Sequence, residues 1–309
     1  MTPLPKKLHV GIIGEGAWAK RLVATLLGQT AHCDFSWCTK DPVVARENMQ
    51  RRAADFVVIA TPYTTHARYM GECFERKIPF IVEKPCASLT QLQALSLQHY
   101  PSPTTPTFLA NHTLLFNPAV EMMVNFAKRY KGDVPVELRG EHGGPGPVRE
   151  DCSGLTDYGS HGIALGLWLG DGARPVLLDL DVGDENTRVD DANRSRHGAQ
   201  NYVLTFAVGA LRVTLRTGNN YPRKRLLYTT RYEHGLTHRF REFPERELLA
   251  YIGPDLLEME FDRDTPPLAN ALDTFAQVVK GEREADDRFG WTLPLHVARL
   301  LAECGPLFA

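Results

Sequence analysis

The chain has 309 residues, of which 43% are hydrophobic and 23% charged, and its formal net charge is −2 at pH 7. This composition is typical of a soluble globular protein long enough for two domains. The 6 cysteines form no CxxC pair and basic residues form no long run, so we expect no metal site, no disulfide framework and no nucleic-acid partner. No apolar segment has the length of a signal peptide or membrane span, which predicts a cytoplasmic protein without a membrane partner.

A strand, a tight turn and a helix are predicted at the start of the chain. The apolar residues 8–13 precede "GEGAWA", after which apolar residues recur at helical spacing up to Gly28. The turn has the GxGxxG/A pattern, in which Gly14 permits the turn, Gly16 lets the backbone approach a pyrophosphate, and Ala19 lets helix and strand pack closely. Glycines also mark ordinary strand-to-helix turns, so the flanking strand and helix are what favour a dinucleotide site.

The second predicted strand, "DFSWC", is followed by Thr39 and Lys40. Folds that bind NAD usually offer an Asp or Glu to the adenosine ribose at this point. A hydroxyl and a cation can bind a 2′-phosphate, which a carboxylate would repel, so the pair favours NADP over NAD. The alternative is a solvated loop in which Asp41 only caps the next helix.

Two further strands, "ADFVVIATP" and "PFIVEKP", flank a helix predicted from Thr65 to about Lys77. This βαβ unit is typical of a doubly wound parallel sheet. Ligands of such sheets bind beyond the carboxyl ends of the strands, where Gly14, Thr61 and Lys84 would converge.

Interpretations without a role in ligand binding remain open for three residues near these strand ends. Pro85 could simply stop its strand, and Glu83 could be a solvated charge at the edge. His66 could be either a structural histidine or a cofactor contact.

The segments "GIIGEGAWA", "IATPYTTHARYM" and "VEKPCASL" resemble, in order and spacing, the N-terminal domain of the glucose-fructose oxidoreductase and inositol dehydrogenase (Gfo/Idh/MocA) family. "LLFNPAV" and "SGLTDYGSHGIALGLWLG" resemble that family's second domain, and the motifs extend over residues 8–170. The resemblance implies an α/β fold with an N-terminal Rossmann doubly wound parallel sheet at residues 1–115. It also implies a C-terminal α+β domain with an open, mostly antiparallel sheet at residues 116–309, which binds substrate and forms a homodimer or homotetramer.

The resemblance also implies which residues act. Lys84 would reach nicotinamide and substrate, and Asp157 and His161 would carry or orient the substrate proton. Residues i and i+4 share a helix face, and a histidine titrates in the range that hydride transfer at a C–OH carbon requires. Asp157 could instead be a first-turn carboxylate with His161 as its surface partner. The cofactor contacts implied by the motifs are Gly14, Glu15, Gly16, Ala17, Trp18, Thr39, Lys40, Thr61, Pro62, Tyr63, His66, Glu83, Lys84 and Pro85.

The chain departs from the family in several places. Between Asp41 and Asp55 there is too little chain for the additional helix and strand of relatives, so the sheet is expected to lack one unit. Leu115 stands near where many relatives carry a basic residue. Arginines and a lysine in the predicted second sheet could serve an acidic substrate or form a solvated face. The Gly/Pro-rich residues 140–151 could be a cover over the site or a plain surface loop.

These observations predict an NAD(P)-dependent oxidoreductase, with NADP preferred, that moves a hydride to or from a hydroxyl or carbonyl carbon of a small sugar-like or polyol substrate. Two alternatives stay open. The chain could be a dinucleotide-binding sensor without turnover, or a reductase of a non-sugar acceptor such as an imine or a tetrapyrrole.

Overall fold

The computed structural model describes residues 6–99, 105–129, 134–146, 152–183, 200–243 and 246–305. It divides into one unit made of residues 1–116 and 264–295 and a second made of residues 117–263 and 296–309. The strands are β1 (Leu8–Ile13), β2 (Cys33–Thr39), β3 (Phe56–Ile59), β4 (Phe80–Glu83), β5 (Phe108–Asn111), β6 (Pro135–Gly143), β7 (Pro175–Val182), β8 (Asn201–Val208), β9 (Leu211–Gly218), β10 (Arg225–Tyr232), β11 (Leu236–Arg241), β12 (Glu247–Ile252) and β13 (Asp255–Glu258). The helices are α1 (Ala17–Gly28), α2 (Pro42–Gln50), α3 (His66–Arg76), α4 (Leu89–Gln98), α5 (Pro118–Arg129), α6 (Ser160–Leu169), α7 (Pro267–Lys280) and α8 (Thr292–Glu303).

The first unit contains a parallel five-stranded sheet in the order β2-β1-β3-β4-β5. Strands β3, β4 and β5 are buried along their whole length, which explains why they read as unbroken apolar runs. The order of the strands reverses between β1 and β3, which is where ligands of open α/β sheets bind. The predicted Rossmann-like sheet is confirmed.

The chain runs from α2 directly into β3, so β2 is an edge of the sheet. The sheet therefore has no additional helix and strand between α2 and β3, as the short segment after Asp41 predicted. The Asp41 carboxylate accepts hydrogen bonds from the backbone N–H groups of Val43 and Val44 at 2.7 and 3.3 Å and caps α2. The capping role given to Asp41 in the alternative interpretation is therefore correct.

We predicted that residues 116–309 form one domain, but residues 264–295 belong to the first unit. The reason is that α7 packs on β2 and α1. The Phe275 ring lies 5.0 Å from that of Phe56, and the Asp273 carboxylate accepts backbone hydrogen bonds from Ala31 and His32 at 2.8 Å. The apolar residues of α7 recur at helical spacing, which indicates a buried face but not which sheet covers it.

The second unit contains an eight-stranded sheet in the order β13-β12-β11-β10-β6-β9-β8-β7. Only the β6–β9 pair is parallel, which confirms the mostly antiparallel sheet. Strands β8 and β9 form a hairpin that turns at Gly209, whose φ is +57°. Helices α5 and α6 pack in this unit, α6 against β6 and β9 and α5 against α6 and β11.

The basic residues of this sheet point away from α6. On β9, Leu211, Val213, Leu215 and Thr217 are buried, whereas Arg212 and Arg216, which alternate with them, are exposed. Other arginines of the sheet form ion pairs: Arg231 with Glu137 at 3.3 Å and Arg241 with Glu247 at 3.1 Å. This alternation places the arginines on the sheet face opposite α6. Among the described residues, no helix combines the length and apolar character needed to cross a membrane.

Candidate active site

The turn between β1 and α1 has the geometry that its glycines predict. Gly14 has a φ of +135°, and a Cβ atom there would lie 2.3 Å from the carbonyl oxygen of Ala60. At Gly16, the N-cap of α1, a Cβ atom would meet no atom within 4 Å. Helix α1 then starts with Ala17 and Trp18. Open space at Gly16 beside the N–H groups of a first helical turn is the arrangement by which helix N-termini in general bind phosphate groups.

Thr39 and Lys40 lie beside this turn. The backbone N–H of Gly14 donates to the carbonyl of Thr39 at 2.8 Å, and the buried Thr39 hydroxyl accepts from the N–H of Asp41 at 3.1 Å. The exposed Lys40 ammonium lies 3.5 Å from the Glu15 carboxylate. A 2′-phosphate would therefore compete with Glu15 for Lys40, an interaction that sequence reasoning did not anticipate.

A buried polar cluster follows β4 and β5. Glu83 and Asn111 face each other across these strands, and the Asn111 amide donates to the Glu83 carboxylate at 2.7 Å. Burial raises the pKa of Glu83 to about 7, against the opposing effect of hydrogen bonds from Trp18 and Asn111 and of the Lys84 charge. Glu83 is therefore no solvated edge charge.

His112 is the next residue of this cluster, and sequence reasoning missed it. Burial, and then the Lys84 charge, lower its pKa to about 3, so the ring is neutral at physiological pH. The available signal was a polar "NH" pair directly after the apolar strand β5. Lys84 itself is half-buried and follows the end of β4.

His66 joins the ends of two neighbouring strands. Its Nε2 lies 2.9 Å from the carbonyl oxygen of Thr61, and its Nδ1 lies 2.9 Å from that of Pro85 and 3.2 Å from that of Cys86. The ring is 2% exposed. These contacts are those of a structural histidine that orders the segments after β3 and β4, the latter of which carries Lys84.

Pro62 and Tyr63 form a short turn between β3 and α3. The Thr65 hydroxyl donates to the carbonyl of Pro62 at 2.8 Å, and its oxygen also lies 2.8 Å from the Thr61 hydroxyl, which can donate to it. The Tyr63 ring meets His66 edge-on at 6.3 Å. The structure thus brings together the residues at the ends of β3 and β4 that the motifs singled out.

Asp157 and His161 belong to the second unit. Asp157 lies in a single π-helical turn, Leu155–Gly159, that leads into α6. Such turns often occur at functional sites. His161 lies on α6, a helix buried on all sides, and is 8% exposed, whereas Asp157 is half-buried. His161 is thus a buried residue and not a surface one.

Three aromatic side chains that sequence reasoning missed surround this histidine and its neighbours. The His142 ring on β6 stacks on the His161 ring with centroids 5.4 Å apart and an interplanar angle of 27°. Tyr158 meets His142 edge-on at 5.6 Å, and the Tyr228 hydroxyl on β10 lies 3.3 Å from His142 Nδ1. No sequence signal pointed to this cluster, because its members come from three separate elements.

The Gly-rich loop after β6 is described up to residue 146, and residues 147–151 lie outside the described part. Cβ atoms at Gly144 and Gly146 would lie 3.1 and 2.3 Å from the Tyr158 hydroxyl. The glycines therefore allow the loop to pass directly over Tyr158.

Two other sequence features have structural roles. Asn117 of the "FNP" segment caps α5 at the N–H of Ala119 and donates to Glu242, which also binds Arg246. The carbonyl of Leu115 accepts a hydrogen bond from the buried guanidinium of Arg288 at 2.9 Å. Within the described ranges, no three His, Cys, Asp or Glu side chains are grouped to hold a metal ion.

No protein-family model and no curated protein matches the chain. Solved structures do match the chain in fold. A protein from Magnetospirillum magnetotacticum described as an oxidoreductase has a TM-score of 0.78 and 21% identity, covering 97% of this chain and 100% of its own. Aldose-aldose oxidoreductase from Caulobacter crescentus, complexed with glycerol, has a TM-score of 0.72 and 15% identity over 96% of both chains. A 3-ketoreductase from Actinomadura kijaniata with NADP has a TM-score of 0.68 and 13% identity over 95% of both chains. At these identities the likeness shows the fold.

Proposed function

We propose that this chain is an NAD(P)-dependent oxidoreductase that transfers a hydride between nicotinamide and a hydroxyl or carbonyl carbon of a sugar-like or polyol substrate. The observation that carries the proposal is the β1–α1 turn, where Gly16 leaves open space at the start of a helix. Two structurally similar proteins support it, since one is an aldose-aldose oxidoreductase and another a ketoreductase crystallised with NADP.

In this proposal three residues carry the chemistry. Lys84 polarises the substrate oxygen and stabilises developing alkoxide charge. His161 gives or takes the proton of the substrate hydroxyl, and Asp157 orients it. The bound nicotinamide supplies the hydride chemistry.

We further propose that the cofactor is NADP rather than NAD, with Thr39 and Lys40 at the 2′-phosphate. The Lys40–Glu15 pair is exposed, so exchanging one anionic partner for another costs little. Fluorescence titration should show weaker NADPH binding in Lys40→Ala with NADH binding unchanged, and tighter NADPH binding in Glu15→Gln. Equal affinity of the wild type for both cofactors would refute this part.

The oligomeric state of the protein and its cellular compartment are also proposals. The free cysteines, of which Cys33, Cys73 and Cys86 are buried thiols whose pKa burial raises, suit a reducing cytoplasm. A homodimer or homotetramer would form through the sheet face opposite α6, where half-buried Val203 and Leu227 alternate with exposed arginines. Light scattering after gel filtration would measure the mass, and a monomer at micromolar concentration would contradict this proposal.

The activity is tested with a panel of sugars, sugar phosphates, nucleotide sugars and polyols, following nicotinamide absorbance with each cofactor. Turnover by the wild type should be lost in Lys84→Ala and His161→Ala, while Lys77→Ala, which changes a lysine outside the motifs, should retain it. Cofactor binding without turnover on any substrate would instead favour a sensor or a reductase of a non-sugar acceptor.

A further inference from the structure

His142 and His161 of the second unit pack against each other on one face of the eight-stranded sheet. His142 on β6 is paired in register with Thr217 of β9 and Leu226 of β10. Its ring covers one face of the His161 ring on α6. A residue that moves a proton must hold its ring in a defined orientation, so whatever packs on His161 influences how it works.

The Tyr228 hydroxyl contacts the His142 ring and bears on which ring nitrogen carries a proton. Tyr228 is fully buried, and within the described residues its only hydrogen-bond partner is His142 Nδ1, at 3.3 Å. Burial raises the pKa of this phenol, so the hydroxyl keeps its proton. A buried hydroxyl proton needs an acceptor, and a ring nitrogen accepts only when it carries no proton. A Tyr228 hydroxyl that donates to His142 therefore requires an Nδ1 atom without a proton.

Glycines hold the tyrosine in this place. A Cβ atom at Gly140, its register partner on β6, would lie 2.5 Å from the Tyr228 ring. A Cβ atom at Gly162 of α6 would lie 3.0 Å from the hydroxyl oxygen. The ring thus occupies a slot between β6 and α6 that no larger residue at either position would leave open.

The remaining contacts of His142 restrict its movement. The Thr217 hydroxyl donates to the His142 carbonyl at 2.8 Å, which fixes its backbone. Tyr158 meets the ring edge-on at 5.6 Å. His142 therefore has a backbone held by Thr217 and one ring face against His161.

We propose that Tyr228 holds His142 as a neutral hydrogen-bond acceptor and that His142 positions the His161 ring for proton transfer. A second cation stacked on a protonated His161 would oppose its charge, whereas a neutral ring leaves His161 able to alternate between its two protonation states. The proposal rests on the proposed proton role of His161, and it makes His142 and Tyr228 positioning residues.

The first test is ¹⁵N NMR of histidine-labelled protein, with signals assigned by His142→Gln and His161→Gln. In the wild type we expect His142 Nδ1 to give the signal of an unprotonated acceptor nitrogen. Tyr228→Phe should change the tautomer of His142 and shift the His161 ring signals. The matched control is Tyr232→Phe, because Tyr232 is equally buried on β10 and binds another histidine, His238, at 3.0 Å. It should leave the His161 signals in place.

The second test is steady-state kinetics on whichever substrate the wild type turns over. We expect His142→Ala to lower kcat about tenfold without changing the KM of the cofactor, and His142→Phe, which keeps a flat ring, to recover most of that loss. A protonated His142 Nδ1 in the wild type, unshifted His161 signals in Tyr228→Phe, or full kcat in His142→Ala would overturn the proposal. If no substrate is turned over, the proposed function fails, and NMR alone decides whether His142 positions His161.

Discussion

At the scale of single residues, Glu83 shows how burial changes an apparently ordinary surface charge. Its carboxyl follows a fully buried strand and receives a hydrogen bond from Asn111. Burial nevertheless dominates and raises its pKa to about 7, from an ordinary value of 4.5. The folded protein therefore binds the Glu83 proton more tightly than the unfolded chain does.

This difference makes stability depend on pH. Because the folded pKa is raised, the contribution of Glu83 is fully present below about pH 4.5 and is lost as the pH rises to about 7. The variant Glu83→Gln mimics the protonated form and does not titrate. We therefore expect the difference in the free energy of unfolding between this variant and the wild type to change by about 3 kcal/mol between these two pH values. Urea unfolding at a series of pH values measures it. The exposed Glu47→Gln is the control, and parallel profiles for Glu83→Gln and wild type would contradict the prediction.

His66 is a second residue whose role depends on its surroundings. Both ring nitrogens face carbonyl oxygens, which only accept hydrogen bonds. A neutral imidazole carries one N–H, so at least one of the Thr61 and Pro85 carbonyls accepts from it. In His66→Phe that carbonyl loses its donor, so we expect a loss of about 2 kcal/mol in the free energy of unfolding. His99→Phe is the matched control, because the His99 ring stacks on Phe74 at 4.9 Å and a phenyl ring can do the same. Equal stabilities of the two variants would show that the His66 bonds contribute nothing.

At the scale of elements, the two glycines of the β1–α1 turn are present for different reasons. Gly14 is required by the fold, because a Cβ atom would lie 2.3 Å from a backbone oxygen and φ is +135°. Gly16 has room for a Cβ atom, so the fold does not require a glycine there. The second glycine is needed only if a ligand approaches the backbone.

Alanine substitutions should therefore give opposite results at the two positions. Gly16→Ala is expected to leave the free energy of unfolding within about 0.5 kcal/mol of the wild type but to weaken dinucleotide binding at least about tenfold. Gly14→Ala should cost about 2 kcal/mol or more in stability. Chemical denaturation and cofactor fluorescence measure the two effects. Unchanged cofactor affinity in Gly16→Ala would contradict a pyrophosphate at this turn.

At the scale of the whole molecule, the first unit is completed by a segment from near the end of the chain. The Asp273 carboxylate on α7 accepts the N–H groups of Ala31 and His32, which precede the edge strand β2. These bonds join residues more than two hundred positions apart, so they are formed only when the C-terminal segment has returned to the first sheet.

Removing this contact should destabilise the first unit. We expect Asp273→Ala to lower the free energy of unfolding by about 2 kcal/mol, because two backbone donors lose a charged acceptor. Glu284→Ala, on an exposed residue of the same segment, should have no comparable effect. Hydrogen exchange of the β2 amides would locate the change, and unaltered exchange near Ala31 would exclude this role for Asp273.

Local patterns in the sequence were sufficient to predict the strands of the first sheet and the β1–α1 turn, because these elements follow from the spacing of apolar residues and glycines along short segments. The second, mostly antiparallel sheet was expected from the resemblance of the motifs to a known family. The motif residues at the ends of β3 and β4 were also identifiable from their order alone. The tertiary structure decided the rest: the placement of α7, the Lys40–Glu15 pair, the double contact of His66, and the stacking of His142 on His161. Each of these depends on atoms from distant segments meeting at distances of a few ångströms, and no periodicity within one segment encodes such a meeting.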